Sequence, residues 1–211
     1  VGLCATDMLY YASGVLDMPG AVFTASHNPA GYNGIKMCLG GAAPIAGDTG
    51  LDAIKAMAIA GPDPSGRTGS RTEQHMLPGY VDHVRSFVDV SSLRPLKVVA
   101  DTANGMGGLV VPAVFDGLPF HLDHMYPELD GTFPNHPADP IQPENQRDLM
   151  ERVLATNADI GLAFDGDADR VFLVDETARA ISGSLTTAMV ARSILVKNPG
   201  ATILHLSLIH I

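Results

Sequence analysis

Apolar residues fall into short runs separated by clusters of turn-forming residues, and the runs switch between strand-like and helix-like spacing. Residues 20–25 (GAVFTA) form an apolar run of strand length that leads into Ser26-His27-Asn28-Pro29, a cluster of turn formers. A strand with Ser26 at its exit is predicted there. After the loop 30–34 (AGYNG) comes a second short apolar stretch. Asp48 or Thr49 is then placed to cap a helix carrying Leu51, Ile54, Ala58 and Ile59, stopped by Gly61-Pro62. The first unit is expected to alternate β and α elements.

The segment 61–71 (GPDPSGRTGSR) has no apolar period and is the expected linker. A second unit follows: a helix at about 73–88, a strand at 96–101 (LKVVAD), a glycine-rich turn at 104–108, a helix to about Phe115 and a strand at 120–125. Residues 126–146 hold five prolines (127, 134, 137, 140, 143) and no periodicity, which marks a functional loop or a disordered one, the functional reading being favoured. A helix at about 146–156 leads to strand 159–164 (DIGLAF), the loop 165–170 (DGDADR) and strand 171–174, so an acidic loop joins two strands. From Ile181 a helical pattern runs to about Val196 and stops at Asn198-Pro199-Gly200, before the apolar tail 201–211. The fold class is α/β, with boundaries expected at 1–72, 73–179 and 180–211. No repeat of 20–50 residues points to a solenoid.

At 211 residues, 46% hydrophobic and 17% charged, the chain can bury an ordinary core. Its apolar runs fall short of the ~18 residues of a membrane span, and the opening VGLCATDMLYY lacks a basic region followed by an apolar core. A soluble, cytoplasmic protein without membrane partners is expected, and the start at Val1 suggests an N-terminus cut away. Cys4 and Cys38 are too few for a disulfide framework or a structural zinc site and are expected to be reduced core residues. A formal charge of −10 leaves no basic stripe for nucleic acid. Any anionic substrate must be held by local positive groups.

Asp165, Asp167 and Asp169 stand at alternate positions directly after an apolar strand, where their like charges repel. An exposed acidic turn is one reading; a bound cation explains the spacing better, and oxygen-only ligands suit a hard divalent ion such as Mg²⁺. Glu176 falls at position twelve counted from Asp165, as in a calcium EF-hand, but Arg170 occupies position six where that loop needs glycine. A haloacid-dehalogenase-type phosphatase, with Asp165 as nucleophile, also places an aspartate pair after a strand, but has Thr or Val where Asp169 stands. Ser26, with His27 and Asn28 beside it, reads on local composition alone as a turn-forming serine. Lys36, closing the run GYNGIK, is equally a phosphate or proton partner and a solvated lysine.

Taken together, TASHNP (24–29), GYNGIK (31–36) and DGDADR (165–170), in this order and at this separation, resemble the α-D-phosphohexomutases, in the bacterial phosphomannomutase/phosphoglucomutase branch. ATDMLYYA at the start, the Asp101–Gly108 turn and the DGTFPNHPADPIQPEN loop extend the likeness over nearly the whole chain. The resemblance implies three-layer α/β/α domains on mixed sheets, in a four-domain enzyme truncated here at both ends. Residues 1–72 would be the C-terminal part of a phosphoserine domain, 73–179 a metal-binding domain and 180–211 the start of a third.

The same resemblance implies a phosphorylated Ser26 bridged by Mg²⁺ to the three aspartates, His27 and Lys36 in proton transfer, and Arg170 holding substrate or phosphate. The implied reaction interconverts hexose 1-phosphate and 6-phosphate through a hexose 1,6-bisphosphate, which also serves as activator. Phosphoglucosamine mutases share these motifs but carry Asp where this chain has Tyr32, which favours a hexose. The elements that grip substrate are missing from the chain, so little or no turnover by it alone is expected, and the tail HLSLIHI departs from the family pattern. A non-catalytic binding remnant is the third alternative.

Overall fold

The computed structural model describes residues 1–29, 31–61 and 69–204. Most of the predicted linker (62–68) and the end of the apolar tail (205–211) lie outside the described residues.

The chain opens with a helix that the sequence pattern did not predict, α1 (Thr6–Leu16), which buries Met8, Leu9 and Ala12 on one side and stops at Asp17 in a left-handed conformation. Strands β1 (Gly20–Phe23), β2 (Ile35–Leu39) and β3 (Ala43–Pro44) follow, and all their pairings are antiparallel. The expected β/α alternation of the first unit is thus replaced by a meander. The connection 24–34 between β1 and β2 holds no helix among the described residues, and a return in the parallel sense usually needs one. Helix α2 (Asp52–Ala60) starts later than a cap at Asp48 or Thr49 would place it. A wide turn over 47–51, with Gly50 at φ 137°, takes its place, and the Thr49 hydroxyl is used within that turn by accepting from the Ala46 N–H. None of the α2 side chains is buried.

The second unit follows its pattern closely. Helix α3 (Leu77–Arg85) is shorter than predicted. It is followed by β4 (Leu96–Asp101), α4 (Gly107–Phe115), β5 (Phe120–Met125), α5 (Arg147–Thr156), β6 (Ile160–Phe164) and β7 (Val171–Asp175). Ile181 belongs to a short strand, β8 (Ala180–Ile181), rather than to the helix expected from that point. Helix α6 (Gly183–Lys197) begins after Ser182, whose hydroxyl accepts from the Leu185 N–H.

The sheet order is β5-β4-β6-β7-β8, with β5, β4 and β6 parallel and the last two strands antiparallel. Residues 98–101 of β4 are all buried because both faces of the sheet are covered, as its continuous apolar run requires. On one face Leu149 and Val153 of α5 close over Val99, Ala163 and Val174. On the other, Gly107 at the start of α4 lies against Thr102 and Phe164, so the second unit has α/β/α layers. A further apolar cluster joins the two units: Cys4, Ala5 and Met8 pack with Tyr80 of α3 and Val110 of α4. Both cysteines are buried and unpaired, and no helix among the described residues is long and apolar enough to cross a membrane.

The chain runs from β4 outward to β5, then crosses to the other side of β4 to form β6. The loops after β4 and β6 therefore leave neighbouring strands at the carboxyl edge where the order reverses, the usual location of a site in an open α/β sheet. The loop 126–146 is tied over this edge: Asn104 donates to Glu128 O (3.0 Å), Asn135 donates to Asn104 Oδ1 (2.8 Å), and His136 Nε2 lies 2.9 Å from Asp101 Oδ2.

Candidate active site

The acidic loop after β6 is held between two other pieces of backbone. On one side is the turn after β4: the Met106 N–H donates to Gly166 O (2.9 Å), and a Cβ on Gly105 would stand 2.6 Å from that same oxygen. On the other is the loop after β1, so close that a Cβ on Gly166 would meet Ser26 O at 2.3 Å. Glycine at both positions lets three loops stack at backbone contact distance.

That stacking joins residues far apart in the chain. Ser26, with φ +54° in the left-handed region that non-glycine residues seldom adopt, donates from Oγ to Asp165 Oδ2 at 2.9 Å. Its Oγ accepts from Arg170 Nη2 at 2.7 Å, while Arg170 Nε donates to Asp165 Oδ2 at 2.8 Å. His27 Nδ1 lies 3.5 Å from Ser26 Oγ and makes a close contact with the same guanidinium. Lys36, on β2, donates to Asp167 Oδ2 (2.7 Å) and Asp169 Oδ2 (2.6 Å). All seven residues singled out from sequence thus belong to one cluster, spanning both units.

Asp165 and Asp167 are buried, at 0% and 2% exposure, whereas Asp169 faces solvent. Oxygens of the three carboxylates lie within 4.8 Å of one another. Burial, then the charge of Asp167, pushes the Asp165 carboxyl up against the opposing hydrogen bonds of Ser26 and Arg170. Burial also works to raise Asp167, but the hydrogen bonds from Lys36 and Thr6 outweigh it and hold that carboxyl low. Burial pulls the Lys36 ammonium down, yet its bonds to Asp167 and Asp169 prevail and its pKa is raised.

The residues fit a hard divalent cation. Beyond the clustered carboxylates, Asp167 Oδ1 is buried with no hydrogen-bond partner among the described residues, an expensive arrangement unless something positive meets it. Two residues at the cluster were not assigned from sequence: Thr6 and Thr24 both donate to Asp167 Oδ2, at 2.6 and 3.2 Å. Thr24 lies inside TASHNP, but nothing local distinguishes Thr6 from any other residue at a helix start. A cavity of about 570 Å³ adjoins the cluster, lined in part by Ser26, Asn28, Tyr32, Phe133 and Asp167.

Known proteins resemble this chain over most of its length. The family model described as phosphoglucomutase/phosphomannomutase, alpha/beta/alpha domain I, matches residues 1–61, and its domain II counterpart matches residues 78–179. A protein named phosphohexose mutases from Xanthomonas campestris pv. campestris is 40% identical over 97% of this chain and 46% of its own length. The phosphomannomutase of Escherichia coli is 39% identical over 97% of this chain and 47% of its own. A crystal structure of a phosphoglucomutase/phosphomannomutase family protein from Burkholderia thailandensis superimposes with a TM-score of 0.83 at 34% identity, covering 95% of this chain and 45% of that one. The chain spans about half the length of the curated relatives it matches. With two domain models of one family matched in order and a solved member overlaid across almost all its residues, the chain belongs to the phosphoglucomutase/phosphomannomutase family.

Proposed function

We propose that this chain carries the phosphoserine and cation centre of a cytoplasmic Mg²⁺-dependent phosphohexomutase that interconverts hexose 1-phosphate and hexose 6-phosphate. Residues 1–72 act as the remainder of the phosphoserine domain, 73–179 as the metal-binding domain and 180–211 as the start of a third. The observation that carries this is the 2.9 Å hydrogen bond from Ser26 Oγ to Asp165, across 139 residues of sequence, at the edge of a three-carboxylate cluster.

Asp165, Asp167, Asp169 and the Ser26 oxygen would hold Mg²⁺, which when bound offsets negative charge on the phosphoryl oxygens. Ser26 carries the phosphoryl group. Its P–Oγ bond breaks as a bond forms to a hydroxyl of the sugar phosphate, and the hydroxyl proton passes to a nearby base. The resulting hexose 1,6-bisphosphate turns over and returns its other phosphoryl group to Ser26, so the two transfers mirror each other. Arg170, which donates to Ser26 Oγ, would bind the phosphoryl oxygens. His27, 3.5 Å from Ser26 Oγ, and Lys36, which reaches the same cluster from β2, would exchange the protons.

A phosphatase using Asp165 as nucleophile is disfavoured because the family models that match and the relatives at about 40% identity are those of phosphohexomutases. The preference for a hexose over an amino sugar draws on the relatives' names. Because those relatives are about twice as long, we propose that the chain alone turns over hexose phosphate barely or not at all, although it accepts a phosphoryl group.

The test is intact mass before and after incubation with glucose 1,6-bisphosphate, followed by site mapping. A stable phosphate on Ser26, absent from Ser26→Ala, is expected. A labile acyl phosphate on Asp165, or no modification at all, would refute the assignment.

A further inference from the structure

The two oxygens of Asp167 are used very unequally. Oδ2 accepts from Thr6 Oγ1 (2.6 Å), Thr24 Oγ1 (3.2 Å) and Lys36 Nζ (2.7 Å), whereas Oδ1 is buried and has no hydrogen-bond partner among the described residues. Two of those donors are neutral hydroxyls from outside the acidic loop. Thr6 is fully buried, and its backbone N–H also donates to Asp167 O at 3.1 Å, so one residue grips both the main chain and the side chain of Asp167.

The hydroxyl of Thr6 does nothing for its own helix. Ala5 is the residue that starts α1, without a side-chain cap, and the Thr6 side chain reaches out to a carboxylate 161 positions away. A carboxylate free to rotate exchanges its two oxygens; one whose Oδ2 is held by two hydroxyls presents a single oxygen to an incoming ion. Groups that orient a metal ligand in this way contribute to affinity without touching the metal.

We propose that Thr6, supported by Thr24, is a positioning residue that sets the orientation of Asp167 and reserves its Oδ1 for the cation. This deepens the phosphohexomutase assignment and rests on its cation site. The probe is Mn²⁺ alone, titrated into the full 211-residue chain and followed through the electron paramagnetic resonance signal of the free ion. Thr6→Val, which keeps the shape and removes the hydroxyl, is expected to weaken Mn²⁺ binding by about 10–100-fold. Thr6→Ser, which restores the hydroxyl, is expected to recover most of the loss.

If Thr6 served stability alone, Thr6→Val would lower the melting temperature of the metal-free chain and leave Mn²⁺ affinity of the folded protein unchanged; that result overturns the proposal. Should Thr6→Val fail to fold, Thr24→Val carries the same expectation, and unchanged affinity there is equally fatal. Absence of Mn²⁺ binding by the unsubstituted chain would bring down the cation site itself, and the role of Thr6 with it.

Discussion

Gly166 separates two of the aspartates, and replacing it with alanine isolates the effect of loop spacing. Its φ lies outside the left-handed region, so the backbone accepts alanine and only space is at issue. The added Cβ would stand 2.3 Å from Ser26 O and 3.3 Å from Phe133 Cζ, where ordinary contact begins at 3.4 Å. A carbonyl oxygen cannot swing aside as a side chain can. Nor can the acidic loop retreat, because Gly166 O is bonded to the Met106 N–H and backed by Gly105.

The Ser26 and acidic loops must then part by roughly 1 Å, an overpacking that costs about 1–3 kcal/mol. At about 2–4 °C per kcal/mol for a chain of this size, the melting temperature should fall by about 2–12 °C. A displacement of that size at the reacting group should slow phosphorylation of Ser26 on the order of 100-fold. Circular dichroism melting and timed intact-mass measurement with glucose 1,6-bisphosphate read the two effects. Gly14→Ala, within α1 and with nothing within 4 Å of the new Cβ, is the control and should stabilise by about 0.5–1 kcal/mol. A Gly166→Ala chain that melts and phosphorylates like its parent would show that the loops are not held at the distance described.

Lys36→Met removes the ammonium that bridges Asp167 and Asp169. Since Lys36 is about a third exposed, the metal-free chain should lose only about 1–2 kcal/mol, and added Mg²⁺ should raise its melting temperature more than that of the parent. Equal Mg²⁺ shifts would count against a shared position for the two cations. Burial pulls the His136 imidazole down, but its hydrogen bond to Asp101 and the charge of that carboxylate prevail, so its folded pKa is raised. Its contribution to stability is therefore complete below the unfolded value of about 6.5 and is lost as pH rises through the folded one. Urea unfolding across pH should show the gap between the parent and His136→Asn narrowing with increasing pH; a constant gap would remove the ionic part of that bond.

Much of the second unit was legible because its strands are continuous apolar runs with clear turn residues at each end. Strands β4 and β5 lie where the pattern put them, and β6 and β7 differ by one residue at one end. The first unit was harder. Helix α1 buries Thr6 and Ser13 along with its apolar residues, which blurs its period, and α2 buries none of the apolar side chains that suggested it. Chain direction between β1 and β2 depends on how the connecting loop folds back, which apolar spacing does not encode. The seven candidate residues were named from motifs, yet their arrangement was not, because bonds such as Ser26 to Asp165 arise from backbone contacts between loops far apart in the chain.

The amino-acid order by itself determined which groups could meet a cation: three aspartates two positions apart after a strand, since alternation within one short loop is a local property. It determined equally that glycine would stand between the first two. Only the tertiary structure decided which oxygen of Asp167 stays open, and that a threonine at the start of an unpredicted helix helps to keep it so. The reason is one of range. The direction of the Thr6 hydroxyl is set by how α1 packs against α3 and α4, and side-chain packing between distant segments leaves no periodic trace in either of them.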